Sequence, residues 1–202
     1  MKRIIYIIIL VLSFTLYPVI NRNPTNLISS NIIKLWIDDY IPLIPIFSVP
    51  YVIYIPFLFA TLIYFVFFTK KFRSISLAFA FCQFIAALFF VFYQTTVARP
   101  EVLSTDVFSK LVLLIYANDQ PYNCFPSLHV ALSTISGLFW IQKFPKISWL
   151  MIFFVGSISL STVFVKQHYV PDIFGGFILA LLSFYVGTYI ENNLTEIKPK
   201  TY

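Results

Sequence analysis

The chain contains little charge. Only 11% of its 202 residues are Asp, Glu, Lys or Arg, whereas 59% are hydrophobic and 20% are aromatic, and the mean hydropathy is +0.86. A soluble globular domain needs a far more polar surface, so the composition excludes that class. No polar stretch is long enough for a separate soluble domain, and we expect a single membrane domain over residues 1–202.

Cysteine and histidine are equally scarce, with two residues of each. Cys82 falls in the middle of an apolar run and Cys124 in a loop, so we predict free thiols rather than a disulfide. Both histidines lie in short polar segments, His129 in NCFPSLHVALS and His168 in KQHYVPDIFGG. Ionisable groups beside membrane spans are costly and usually functional, so these two segments are the first candidates for a site.

Long apolar runs recur along the chain, and about 20 apolar residues cross the 30 Å of a bilayer core. The runs predict an all-α bundle of six transmembrane helices. We place the spans at Ile4–Ile20, Pro50–Thr69, Ile75–Tyr93, Ser127–Ile141, Ile147–Val165 and Pro171–Ile190. The first begins after Lys2-Arg3 and has no small-residue cleavage site, which is typical of an uncleaved signal anchor.

The basic residues are distributed unevenly between alternate loops. One side holds Lys2, Arg3, Lys70, Lys71, Arg73, Lys143, Lys146, Lys198 and Lys200, and the other holds Arg22, Lys34, Arg99, Lys110 and Lys166. This asymmetry predicts cytoplasmic termini and a functional site facing outside. The richness in Ile, Asn, Lys and Phe is compatible with a bacterial inner or plasma membrane. Because the positive charge has this topological reason, we expect no nucleic-acid partner.

Two outer segments, NLISSNIIKLW (26–36) and DVFSKLVLLIY (106–116), show helical amphipathicity and predict short interfacial helices. Other polar features have simple structural interpretations. Asp38-Asp39 fits an interfacial turn better than a substrate contact, and Gly175-Gly176 fits close helix packing.

The first polar segment suits the start of a helix. Pro126 fits the first helical position, and Asn123 lies close enough to help cap the end. The free N–H groups, together with the Ser127 hydroxyl, would then form an anion site. A protonated His129 would hand a proton to a departing oxygen.

The second polar segment complements the first. His168 and Asp172 are four residues apart, so the carboxylate can hold one ring nitrogen and leave the other as a nucleophile. The Arg99 guanidinium suits fork-shaped contacts to phosphate, and Lys166 would add a point charge.

These residues resemble the type 2 phosphatidic acid phosphatase superfamily of integral membrane enzymes, whose signature is K-x6-R-P, P-S-G-H and S-R-x5-H-x3-D. The chain retains Arg99-Pro100, then Pro126-Ser127-Leu128-His129, then Ser161, His168 and Asp172 at the family spacing. The first-motif Lys falls on Phe92 and the third-motif Arg on Thr162. The forms FPSLHVA and KQHY look more like the inositol phosphorylceramide synthase and sphingomyelin synthase branch.

The resemblance implies a role for each matching residue. His168 would attack phosphorus to give a phosphohistidine, Asp172 would orient it, and His129 would protonate the leaving group. The phosphate-binding set would be Arg99, Ser127, Leu128 and Lys166, with support from Asn123, Ser161 and Gln167. No cofactor and no metal are implied, because a zinc site of His129, His168 and Asp172 would lack an obvious fourth ligand.

Three candidate functions are consistent with these sequence features. The first is a metal-independent lipid phosphatase acting on phosphatidic acid, phosphatidylglycerol phosphate or polyprenyl diphosphate, with water as acceptor. The second is a lipid phosphotransferase that uses a lipid or sugar hydroxyl, and the missing phosphate cations suit its less charged phosphodiester substrates. The third is a lipid-binding or scrambling protein without catalysis. The oligomeric state stays open.

Overall fold

The computed structural model describes residues 2–22 and 30–196, and these are arranged as an all-helical bundle. The α-helices are α1 (Lys2–Arg22), α2 (Ser48–Phe68), α3 (Phe72–Phe92), α4 (Val107–Asn118), α5 (Leu128–Lys143), α6 (Ser148–Phe164) and α7 (Val170–Glu196). Short 3-10 helices occupy Trp36–Asp39, Pro45–Phe47 and Pro145–Ile147.

The six predicted spans correspond to α1, α2, α3, α5, α6 and α7. Among the described residues, five segments are long and apolar enough to cross a membrane: Arg3–Asn21, Pro45–Phe68, Phe72–Phe92, Pro145–Phe164 and Val170–Asn193. Helix α5 has 16 residues, a rise of about 24 Å, and packs between α6 and α7. The prediction of an all-α membrane bundle is confirmed.

Helix α3 lies at the centre of the bundle, where it contacts α1, α2, α5 and α7. Phe65, Phe79 and Phe139 are among the large side chains that it helps to bury. The outer surface carries exposed Phe59 and Phe153 among many other large apolar side chains. Such a surface fits hydrocarbon, while the helices satisfy their own backbone hydrogen bonds.

Helix α4 confirms the short helix predicted over residues 106–116. Asp106 caps it by accepting hydrogen bonds from the backbone N–H groups of Phe108 (2.8 Å) and Ser109 (3.2 Å). The Ser109 hydroxyl also donates to this carboxylate, and these bonds lower the pKa of Asp106. The other end of α4 leads directly into the loop before α5.

The helix predicted over residues 26–36 was wrong in its described part, residues 30–35; residues 26–29 lie outside the described ranges. There the backbone of Asn31 bonds to another loop instead. Its N–H donates to the carbonyl of Gln94 (2.9 Å), and its own carbonyl accepts from Thr96 (3.0 Å). A backbone paired between segments cannot form the local bonds of a helix.

Gly175 and Gly176 pack α7 closely against the segment that begins α5, as predicted. A Cβ added at Gly176 would lie 2.7 Å from the Ser127 carbonyl oxygen and 2.9 Å from Val130 Cβ. At Gly175 it would lie 2.5 Å from the Phe125 ring. A side chain at either position would force the two helices apart.

We expect Gly176→Ala to destabilise the protein by about 1–3 kcal/mol, the usual cost of overpacking. Gly156→Ala is the matched control, because a Cβ there meets nothing within 4 Å. Thermal unfolding in detergent should show a lower midpoint for Gly176→Ala only. Equal midpoints for the two variants would contradict the close packing.

Candidate active site

Ser127 forms the start of α5. Its side chain accepts a hydrogen bond from the Val130 N–H (3.4 Å), and its carbonyl accepts one from Ala131 (2.9 Å). The helix therefore begins at Leu128, so the prediction that Pro126 takes the first helical position was wrong. With Ser127 as the cap, the N–H groups of Leu128 and His129 have no acceptor within the helix.

Asn123 does not cap α5, contrary to expectation. It adopts a left-handed backbone conformation (φ 57°), which Asn tolerates better than most residues. Its N–H donates to the Thr95 carbonyl (2.9 Å), and its side chain donates to Asn21 (3.2 Å) and accepts from Gln94 (3.3 Å). Asn123 thus shapes the loop before the helix and lines the cavity described below.

His168 and Asp172 form a buried pair at the start of α7. His168 Nδ1 lies 3.2 Å from Asp172 Oδ2, which also accepts from the Tyr169 N–H (2.9 Å). The Asp172 side chain is fully buried, and that of His168 is 8% exposed. Because Nδ1 faces the carboxylate, Nε2 is the ring nitrogen left for attack on a substrate.

One backbone hydrogen bond joins the two polar segments. The Ser127 N–H donates to the Asp172 carbonyl oxygen (3.1 Å), so the starts of α5 and α7 are held together. As a result, the ring centroids of His129 and His168 lie 5.9 Å apart. The structure therefore brings together the three residues for which we predicted catalytic roles.

His129 lies against two aromatic side chains of α2. Its ring centroid is 4.4 Å from that of Tyr51 and 4.6 Å from that of Tyr54. The side chain is 17% exposed. Aromatic rings on the imidazole restrict its orientation.

Both histidines line a cavity of about 450 Å³. Its walls are mostly apolar or aromatic, with contributions from α1 to α5. They comprise Phe14, Tyr17, Pro18, Tyr51, Val52, Tyr54, Ile55, Gln83, Leu114, Ile115, Asn118, Asp119, Asn123, Leu128, His129, Leu132 and His168. A few polar groups on an apolar wall suit a ligand with an apolar chain and a polar head.

Asp119 lines this cavity, although we did not predict it as a site residue. Its Oδ1 accepts from the Tyr17 hydroxyl (2.7 Å), its Oδ2 accepts from the Tyr51 hydroxyl (2.6 Å), and Oδ2 lies 4.0 Å from His129 Nε2. Burial raises the pKa of Asp119, but the charge of His129 and the two tyrosine hydrogen bonds outweigh burial and lower it. The only sequence signal was its position four residues before Asn123.

Arg99 does not line the cavity. Its guanidinium donates to the carbonyl oxygens of Tyr116 (3.1 Å) and Asp119 and to the side-chain oxygen of Gln167, and it stacks 4.4 Å from the Tyr116 ring. It thus connects the end of α4 to the second polar segment. Gln167, predicted as a supporting residue, provides one of these contacts.

Lys166 also lies away from the cavity lining. Its ammonium donates to the carbonyl oxygens of Ile41 and Asp38, and burial lowers its pKa. The Asp38 carboxylate accepts from the Leu35 and Val170 N–H groups, both at 2.8 Å. Asp38 therefore belongs to a turn, as predicted, and holds that turn against the start of α7.

The remaining predicted residues differ in their placement. The Ser161 hydroxyl donates to the Ile158 carbonyl (2.6 Å) within α6, whereas Leu128 lines the cavity. Protein carbonyls thus accept hydrogen bonds from Arg99, Lys166 and Ser161. The groups that lie close together are the two histidines, Asp172 and the start of α5.

The described residues include one group with the composition of a metal site. Ligand atoms of Cys124, His168 and Asp172 lie within 4.8 Å of one another. This set replaces the His129 set considered from sequence, and burial raises the pKa of the Cys124 thiol well above its usual range. Asp172 Oδ2 lies against His168 Nδ1 and accepts from the Tyr169 N–H, as expected of a carboxylate that orients a histidine. Both cysteines are free thiols, as predicted.

The family model of the PAP2 superfamily matches residues 25–186. The chain therefore belongs to the PAP2 superfamily, which supports an enzyme of the lipid phosphatase or phosphotransferase class embedded in a membrane. It is also 35% identical over 63 residues to the catalytic subunit AUR1 of inositol phosphorylceramide synthase from Saccharomyces cerevisiae. That match covers 31% of this chain and 16% of the yeast protein. No solved structure matches the chain.

We expect Arg99→Lys to lower activity about tenfold or more and to lower the unfolding midpoint as well. Lysine keeps the charge but loses the planar fork that reaches three acceptors on two segments. Arg73→Lys is the matched control, because Arg73 lies at the opposite end of α3 against the Phe72 ring. A raised KM with an unchanged unfolding midpoint would show instead that Arg99 binds substrate phosphate.

Proposed function

We propose that this protein cleaves a phosphate ester of a membrane lipid through a phosphohistidine formed on His168. The observation that carries the proposal is the buried His168–Asp172 pair, with a second histidine 5.9 Å away on the same cavity. A binding protein has no need for an oriented nucleophile beside a separate proton donor. The non-catalytic alternative therefore explains fewer of these contacts.

The reaction has two balanced steps. His168 Nε2 attacks phosphorus, the bond from phosphorus to the lipid oxygen breaks, and protonated His129 gives its proton to that oxygen. An acceptor hydroxyl then attacks the phosphohistidine, His129 takes the hydroxyl proton, and the N–P bond breaks. With water as acceptor, the product is free phosphate, and both histidines return to their starting states.

Phosphate binding depends on the start of α5. The Leu128 and His129 N–H groups and the Ser127 side chain lie at the positive end of the helix dipole. Arg99 and Lys166 are bound to protein carbonyls, so they supply little direct charge in this arrangement. A site with so few free cations suits a phosphate group that carries little negative charge.

Transfer to a lipid or sugar hydroxyl is the second candidate, and the cavity favours it. Its mostly apolar wall, from Phe14 to Leu132, offers room for an apolar chain beside the histidines. Excluding water from the phosphohistidine would let a bound hydroxyl compete for it. The partial similarity to an inositol phosphorylceramide synthase subunit agrees with this candidate.

The proposal includes the side of the membrane that the cavity faces. The cavity lies where α1 and α4 end and where α2, α5 and α7 begin. With both termini in the cytoplasm, this end of the bundle faces the exterior or periplasm of a bacterial membrane. The whole chain acts as one membrane domain, with no cofactor and no metal.

We expect His168→Asn to reduce turnover about a thousandfold or more, because asparagine cannot carry the phosphoryl group. Purified protein would be given lipid phosphomonoesters, diphosphates and phosphodiesters in EDTA, and the phosphoryl group would be followed. Free phosphate identifies hydrolysis, and a new phospholipid identifies transfer.

Thermal unfolding and lipid binding of the same variant serve as its controls. Lost turnover with both properties retained is the expected result. Undiminished turnover by the variant would exclude the phosphohistidine, and no product from any lipid with the unmodified protein would favour the non-catalytic alternative.

A further inference from the structure

Asp119 is a carboxylate fixed in the cavity wall by hydrogen bonds from two distant helices. Tyr17 on α1 donates to Oδ1 (2.7 Å), and Tyr51 on α2 donates to Oδ2 (2.6 Å). Asn21 donates to the Tyr17 oxygen (3.1 Å), and the Asp119 N–H bonds to the Ile115 carbonyl (2.8 Å). Both the backbone and the side chain are therefore held in place.

These bonds stabilise the ionised form of Asp119. Two hydroxyl donors and a neighbouring histidine favour the carboxylate over the acid, in agreement with its lowered pKa. A carboxylate stabilised in this way is a weak base. It is also poorly suited to binding phosphate, which has the same sign of charge.

The ring of His129 faces the Asp119 carboxylate. The distance from Oδ2 to Nε2 is 4.0 Å, which is too long for a hydrogen bond but short enough for strong Coulomb attraction in a partly buried site. The proton on Nε2 therefore stays available to a leaving oxygen. Enclosure of His129 by Tyr51 and Tyr54 disfavours a charged ring, and a nearby fixed carboxylate reduces this cost.

We propose that Asp119 is a positioning residue that favours the protonated form of His129, the form needed to release the leaving group. This inference rests on the proposed phosphoryl transfer, in which His129 is the acid. Each histidine then has its own carboxylate: Asp172 orients the nucleophile so that Nε2 is free, and Asp119 faces the acid.

Several other titratable or charged groups surround His129. Cys82 on α3 and Arg99 interact electrostatically with Tyr54 and Asp119 respectively, and a protonated His168 would oppose a charge on His129. The groups that interact with the ring directly are Tyr51 and Tyr54 from α2, Asp119 from the loop and His168 before α7. Tyr17, Cys82, Arg99, Cys124 and Asp172 interact with these groups or with one another. Within this set the acidic groups are Asp119 and Asp172, and Asp172 is paired with His168.

The test uses the fact that the chain has two histidines. In a His168→Asn background, purified through a histidine-free tag, His129 is the sole imidazole, and NMR can follow its titration directly. Adding Asp119→Asn should move the midpoint to lower pH by about one unit, because a full charge at 4 Å is removed. Adding Asp106→Asn should leave it in place, since Asn also caps helices and Asp106 lies at the far end of α4.

A second variant separates charge from structure. Tyr17→Phe removes one of the bonds that hold Asp119 but leaves its carboxylate, so we expect the midpoint of His129 to stay close to that of the background protein. If Tyr17→Phe and Asp119→Asn have the same effect, or if neither moves the midpoint, the proposed role of Asp119 is wrong.

Kinetics complete the test in protein that retains His168. The alkaline limb of the kcat profile should move to lower pH in Asp119→Asn by the same amount as the titration midpoint, and should stay in place in Asp106→Asn. An unmoved limb would overturn the role of Asp119 even if turnover is normal. Absence of turnover in the unmodified protein would instead overturn the proposed function, whatever the titration shows.

Discussion

The contact between the starts of α5 and α7 is the constraint on which the site depends. A single backbone hydrogen bond, from the Ser127 N–H to the Asp172 carbonyl, joins the segments that carry the two histidines. Gly176 permits the bond, because any side chain there would collide with the Ser127 carbonyl. Helix packing at this point thus sets the distance between the proposed nucleophile and the proposed acid.

Many of the buried polar groups around the site are hydrogen-bonded to other protein groups, and these bonds connect the loops there. The Arg99 guanidinium donates hydrogen bonds to backbone carbonyls at the end of α4. Lys166 donates to the carbonyls of Asp38 and Ile41. The Thr95 hydroxyl accepts from the backbone N–H groups of Cys124 and Phe125. The cations therefore act largely as structural connections. The cavity that remains is apolar, with two histidines and the Asp119 carboxylate as its main ionisable groups, which suits a lipid phosphate of low charge.

Local patterns explain what the sequence predicted well. The apolar runs predicted the long helices, and the spacing of four residues predicted the contact between Asp172 and His168. Both features depend on residues that are close together in the chain. The helix predicted over 26–36 failed because Asn31 pairs with a segment more than 60 residues away. For the same reason, Asp119 could not be recognised: its partners Tyr17 and Tyr51 lie on other helices. Arg99 and Lys166 have long side chains whose direction only the folded loops determine.

The most direct test of the account is to trap the intermediate on the enzyme. Purified protein given a lipid substrate labelled in its phosphoryl group would be quenched during turnover, digested and examined by mass spectrometry under alkaline conditions, in which phosphohistidine survives. We expect an acid-labile phosphoryl group, with any substituent it carries, on the peptide that contains His168. Label on another residue, or turnover with no labelled enzyme at any time, would contradict it.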